Sequence, residues 1–190
     1  VLPLSLANID VVELLKGAME ARQESLSKNS EKIIDQIRQD FQNYQQGREI
    51  YNIFIFSPKL KTLGFWYQQL LAESLGKEGA GLLPIVSEGS KDLHSLQQYF
   101  VGGKQNVQHE FIITEDENQY QKFILQAVQE TYKEKNIPFR TTVLPKVDEK
   151  SLGFFMETKM IETLLLSKLL GVNPFGQPDV DIYKKKIKEA

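Results

Sequence analysis

A chain of 190 residues, 41% of them hydrophobic, can bury one sizeable core or at most two small ones, and one domain is the expectation. With 23 basic and 25 acidic residues it carries neither the footprint of a nucleic-acid binder nor a cationic membrane-binding face. It has no cysteine, which excludes a disulfide framework and thiolate metal sites and fits a reducing cytoplasm, and no apolar run reaches membrane-spanning length.

The opening "VLPLSLANID" has no initiator Met and no basic n-region, so it reads neither as a natural start nor as a signal peptide, and a piece of a longer polypeptide is expected. "DVVELLKGAMEARQESLS" then places Val11, Leu14, Leu15, Ala18 and Met19 at helical spacing, with Asp10 as N-cap. A second helix is predicted from Ser30 to Gln45, ended by Gly47. "EIYNIFIFSP" is almost continuously apolar and bounded by Pro58, as a strand buried on both faces should be, and Ile50 to Ser57 is the first strand. A helix from about Leu60 to Leu75 follows. "GLLPIVSEG" reads as a short strand whose Pro84 argues for a sheet edge or a strand start. Next come a helix near Leu93 to Phe100, the strand "VQHEFII" leading to Thr114, and a long helix from Gln119 to Lys135, ended by Asn136 and Pro138. "PFRTTVLP" is a fourth strand, "LGFFMETKMIETLLLSKLLG" an apolar helix and "VDIYKKKIKEA" a terminal one. Strands separated by helices imply right-handed crossovers and a mainly parallel, doubly wound sheet with helices on both faces.

Few side chains are candidates for chemistry. Of the two histidines, His109 lies inside an apolar strand and reads as a structural imidazole. His94 lies in "SEGSKDLHS", just after a strand and in the expected first turn of a helix, with Ser90 or Asp92 able to cap. There the positive end of the helix dipole disfavours protonation, which suits a proton-exchanging group; a first-turn surface residue is the alternative. In "FWYQQLLAESLGKEG", Glu73 sits on the face that carries Trp66 and Leu70, with Gln69 one turn earlier on the same face. It is either a helix-end acid emerging into solvent or a group facing a site. "GKEGAG" lacks the spacing of a phosphate loop, and its Gly76 serves equally well as a helix C-cap. "KKKIKEA" suits a solvated last helix whose lysines complement its dipole.

"YQQLLAESLGKEGAGLLPIVSEGSKDLHSLQQYF" resembles the glucose-6-phosphate isomerase family, in which a Gln, an A-E-S-x-G-K run and a D-x-H-S run recur in that order. "GVNPFGQPDVDIYKKKI" looks like that family's C-terminal signature, and "VLPLSLANIDVVELLKGA" like the start of its second half. The resemblance implies an α/β/α sandwich of the sugar isomerase (SIS) type, with residues 1–190 forming one such domain with helical extensions at both ends, as the C-terminal part of a longer cytoplasmic enzyme. It implies a metal-free, cofactor-free interconversion of glucose 6-phosphate and fructose 6-phosphate through a cis-enediol. Glu73 would move the proton between C1 and C2, Gln69 and Gln177 would hold the substrate, and His94 and Lys184 would open the sugar ring. No nucleic acid or membrane is implied as a partner, and the enzyme would be a homodimer.

The chain departs from the family at Gly176, where Asp, Asn, Thr or His is usual, and at Asp179, where Gly or Ala is usual. The family's phosphate-binding Ser/Thr loop and its Gly-Gly-Arg segment would lie before Val1, and Arg22, Arg38, Arg48 and Arg140 match neither. A freestanding SIS module that binds a phosphosugar without catalysis is the alternative; retention of Glu73, His94 and Lys184 together favours the isomerase. Chain order puts Glu73 near the sheet's N-terminal edge and His94 at its C-terminal edge, a helix of about 20 Å apart at ~1.5 Å per residue. One site would then draw the two groups from different subunits, as the family resemblance also implies.

Overall fold

The computed structural model describes residue 3, residues 6–27 and residues 30–189. Part of the expected N-terminal extension, and the last residue of the expected terminal helix, lie outside them. Helices α1 (Val11–Leu26) and α2 (Glu31–Gln45) lead into β1 (Ile50–Ile55). A 3-10 turn, Pro58–Leu60, and α3 (Lys61–Leu75) connect to β2 (Leu83–Glu88). The short helices α4 (Lys91–Ser95) and α5 (Gln97–Gly102) lead to β3 (Val107–Thr114), and α6 (Gln119–Glu134) to β4 (Phe139–Leu144). The long α7 (Glu149–Leu170) and α8 (Pro178–Glu189) close the chain.

The strands form one parallel sheet in the order β2-β1-β3-β4, with Ile50 opposite both Leu83 and Val107, and His109 opposite Phe139. Alternation along β1 assigns its side chains to two cores. Tyr51, Ile53 and Ile55 pack with Ile37 of α2, Tyr67 and Leu71 of α3, and Phe155 and Leu166 of α7. Phe54 and Phe56 pack on the other side with Phe100, Phe111, Leu125, Val128 and Tyr132, brought by α5, β3 and α6. This is the expected three-layer α/β/α sandwich, and burial on both faces is why β1 reads as an unbroken apolar run.

Local chemistry sets most boundaries. Asp10 caps α1 by accepting from the backbone N–H groups of Val12 and Glu13. Asn118 and Asp148 do the same for Gln121 and Ser151, while Gly171 ends α7 in the left-handed region at φ 74°. Pro84 marks an edge strand as expected, and Gln68 Nε2 donates to the Pro84 carbonyl at 2.9 Å, occupying an edge acceptor. Three details differ. α2 begins at Glu31 rather than Ser30, β1 stops at Ile55, and the helix expected over Leu93–Phe100 is two short helices that meet at Leu96. Asp92 accepts from the Glu88 N–H and from the Ser95 hydroxyl, so it holds a turn rather than capping a longer helix.

One packing feature is set by glycine. α1 and α7 cross so closely that a Cβ on Gly17 would lie 1.9 Å from the Lys150 carbonyl oxygen, and a Cβ on Gly153 1.9 Å from that of Leu14. Arg22 Nε reaches Glu157 Oε1 at 2.8 Å along the same contact.

Beneath α7 lies a buried charge cluster. Glu110 and Arg140 are register neighbours on β3 and β4. Glu110 is fully buried and accepts from Arg140 Nη2 and Tyr51 OH at 2.8 Å, from Lys159 Nζ at 2.6 Å, and from the Thr142 hydroxyl. Glu162 Oε2 accepts from Arg140 and Lys159 at 2.8 and 2.9 Å, and Asp40 of α2 stands 3.3 Å from Arg140 Nη1. Burial works to raise the pKa of Glu110, but the charges of Arg140 and Lys159 and their hydrogen bonds outweigh it and hold that carboxyl well below its ordinary range. Three carboxylates face two cations here, and Asp40, with the weakest tie, is where burial wins: its pKa is pushed up to about 6 against the pull of Arg140.

Two outcomes are expected. Gly17→Ala should force the helices apart and lower stability by ~1–3 kcal/mol, read as the urea unfolding midpoint. Asp40 binds its proton more tightly folded than unfolded, so its contribution is fully present below its ordinary pKa of 3.8 and is lost as pH rises through about 6. Asp40→Asn should therefore flatten the decline in stability between about pH 4 and pH 6.5, followed by urea titrations across that range.

Candidate active site

α3 leaves the C-terminal end of β1 and runs back against the strand direction, so its last turn lies at the N-terminal edge of the sheet, beside the start of β2. Trp66 and Leu70 pack half-buried against the core along one stripe of this helix, and half-buried Glu73 ends that stripe. Gln69 Nε2 donates to Glu73 Oε1 at 2.8 Å, which fixes the carboxylate through one oxygen. Among the described residues Oε2 has no hydrogen-bond partner, so the group can accept a proton from a molecule at the helix end without first breaking a protein contact. The Gly76 N–H makes the last helical bond, to the Ala72 carbonyl, but Gly76 itself leaves helical geometry at ψ 71° and the chain then turns sharply, with Glu78, Gly79 and Gly81 at φ of 55°, 76° and 117°. Gly81 must lack a side chain, since a Cβ there would stand 2.4 Å from the Leu75 carbonyl oxygen. "GKEGAG" is thus a tight turn between α3 and β2.

His94 lies at the opposite edge. It is exposed, in the last turn of the five-residue α4, and makes no hydrogen bond among the described residues. The expectation that it sits in a capped first turn at the positive end of a dipole is corrected: Ser90 has φ 61° and forms no side-chain cap, and α4 ends one residue after the imidazole. Its exposure leaves both ring nitrogens accessible. β2, six residues at ~3.3 Å each, separates the Glu73 end of the sheet from the His94 end by roughly 17 Å. The two are not brought together within one chain.

Gln177 is half-buried just before α8, and Lys184 is exposed about two turns further on. α8 buries none of its residues. His109, in contrast, is enclosed: its Nδ1 is 3.1 Å from Asn52 Nδ2, its ring meets Phe100 and Tyr132 edge-on, and burial lowers its pKa to about 3, so it is neutral. Two clefts, of about 730 and 460 Å3, flank α2, and none of Gln69, Glu73, His94, Gln177 and Lys184 lines either. Of the acid, base and amide groups singled out from sequence, Gln69 and Glu73 are in contact, and Glu73 and His94 lie at opposite edges of the sheet. Sequence reasoning passed over Glu110, Arg140, Lys159 and Glu162; their signal was ionisable residues inside runs otherwise apolar enough to be buried.

No protein-family model matches the chain. Curated proteins do. It is 30% identical over 215 residues to a glucose-6-phosphate isomerase of Onion yellows phytoplasma (strain OY-M), covering 98% of this chain and 50% of that one. It is 30% identical over 214 residues to that of Clostridium novyi (strain NT), covering 98% and 47%. A hypothetical protein from Thermus thermophilus shares the fold at a TM-score of 0.88 and 25% identity, over 99% of this chain and 52% of that chain. A glucose-6-phosphate isomerase from Chlamydia trachomatis does so at 0.83 and 17% identity, over 94% and 42%. In sequence the chain is thus similar to glucose-6-phosphate isomerases and it shares the fold of one of them, and it spans about half the length of the curated relatives it matches.

Proposed function

We propose that this chain is the C-terminal sugar isomerase domain of an enzyme that interconverts glucose 6-phosphate and fructose 6-phosphate, a cytoplasmic reaction of glycolysis and gluconeogenesis. The observation that carries the reading is the half-buried Glu73 carboxylate, held by Gln69 at the end of α3, in a chain that aligns over 98% of its length with isomerases of that name. In this reading His94 and Lys184 exchange protons at the ring oxygen and the C1 hydroxyl, which opens the sugar. Glu73 then takes the proton from C2 of the aldose, leaving a cis-enediol, and returns it to C1 to give the ketose. Gln69 and Gln177 orient the chain of hydroxyls. General acid–base groups of this kind supply ~10²–10⁴-fold each. The distance between the two sheet edges favours a site that takes Glu73 from one subunit and His94 from another, hence a homodimer. The phosphate anchor and an Arg for the enediolate come from the other half of the polypeptide, so the 190-residue piece alone has no appreciable turnover.

In the whole enzyme Glu73→Gln should abolish isomerisation, by at least ~10²-fold, and leave phosphosugar binding and ring opening largely intact. Proton exchange with solvent at C2 of bound substrate measures this step, and exchange continuing at the normal rate would exclude Glu73 as the base. Mixing Glu73→Gln subunits with His94→Ala subunits should restore part of the activity in hybrid dimers, each with one intact site. Hybrids that form and stay inactive would rule out the shared site.

A further inference from the structure

The turn after α3 holds a buried cation that the reaction scheme does not use. Lys77 is 8% exposed, and its Nζ donates to the carbonyl oxygens of Asn173 at 2.8 Å and Phe175 at 3.3 Å. Among the described residues no carboxylate lies within ion-pair distance of it. Its position supplies another form of compensation: the ammonium stands just beyond the C-terminal end of α3 and against the carbonyls that follow the C-terminal end of α7, where the helix dipoles are negative. The left-handed residues of the "GKEGAG" turn, and the Lys77–Ala80 bridge with its 2.9 Å backbone hydrogen bond, aim the side chain inward rather than along the surface.

What Lys77 grips is the link to the last helix. After Gly171 the one buried anchor among the described residues is Val172; it is followed by an Asn173 side chain that accepts from the Phe175 N–H at 3.0 Å and by a left-handed Gly176. α8 begins at Pro178 and buries nothing, so its placement depends on this turn. We propose that Lys77 is a positioning residue: by clamping the Asn173 and Phe175 carbonyls it fixes the turn before Gln177 against the end of α3, and so sets where Gln177 and Lys184 stand relative to Glu73 and Gln69. The assignment of those four residues rests on the isomerase reading; the clamp itself does not.

The test separates the two. In the unmodified chain the Lys77 ammonium should give a side-chain 15N resonance protected from solvent, and rapid exchange of that ammonium would overturn the clamp whatever the variants do. Lys77→Met should speed amide exchange across residues 173–181 by about tenfold or more and leave the buried part of α7 unchanged. Because the chain has no cysteine, Lys77→Cys alkylated with 2-bromoethylamine restores an ammonium at this one position and should restore protection. Exchange in 173–181 that is unaltered in a folded Met variant would also overturn the proposal. Titration of the whole enzyme with fructose 6-phosphate reads the consequence: the Met variant should bind about tenfold more weakly and the alkylated Cys variant should recover. If the clamp is present and binding is unaffected by its loss, the positioning role falls. If the clamp is present and the unmodified enzyme binds no phosphosugar, the isomerase reading falls instead.

Discussion

Glu110 and Arg140 sit side by side on adjacent strands under a helix, and the arrangement of that side of the sheet follows from how their charges are met. A carboxylate with no exposed surface is costly to bury unless every lone pair is used, and here Arg140, Lys159, Tyr51 and Thr142 all donate to it. Lys159 and Glu162 are three residues apart on α7, so only one rotation of that helix presents both. Apolar contacts alone discriminate poorly among rotations, because α7 also turns Met160, Leu164, Leu165 and Leu169 to the surface. The cluster thus supplies the orientation that hydrophobic burial leaves open, and Asp40 extends it to α2.

How much of this was legible depends on whether a feature is local. Asp10 and Pro84 act within a few residues of themselves, through a cap and a missing N–H, and each was read directly. The Gln69–Glu73 contact needed only the i,i+4 rule. The helix at His94 misled because a capping residue has more than one use: Asp92 serves the Glu88 N–H, and Gly89 packs so tightly on Phe56 that a Cβ would stand 2.6 Å from its ring, forcing the path that follows. The charge cluster was hidden for a different reason. Its members come from α2, β3, β4 and α7, and only the register of β3 on β4 makes neighbours of Glu110 and Arg140. Gln177 and Lys184 were visible through family resemblance alone, since a helix that buries nothing has no periodicity to read.

The stability of the molecule is unevenly distributed. The cluster under α7 and the aromatic core on the other face are largely buried, whereas Glu73 and His94 sit at helix ends, Gln177 just before a helix, and Lys184 on a helix that buries nothing. Groups that must meet a ligand and exchange protons with it are better placed where local opening is easy, provided the sheet holds their mounting points still. Lys77 is an intermediate case, a buried charge used to hold an exposed segment.

The crossing of α1 on α7 has a consequence in time as well as in space. Arg22 and Glu157, which pair along it, are 135 positions apart. During synthesis α1 emerges before the four strands and α7, so it cannot find its seat on α7 until they have followed. Gly17, which the close approach demands, also weakens α1 as an isolated helix by about 1 kcal/mol relative to alanine. α1 is therefore fixed only after α7 is in place, and the loop closed by its docking is a long-range step of the sort that slows folding.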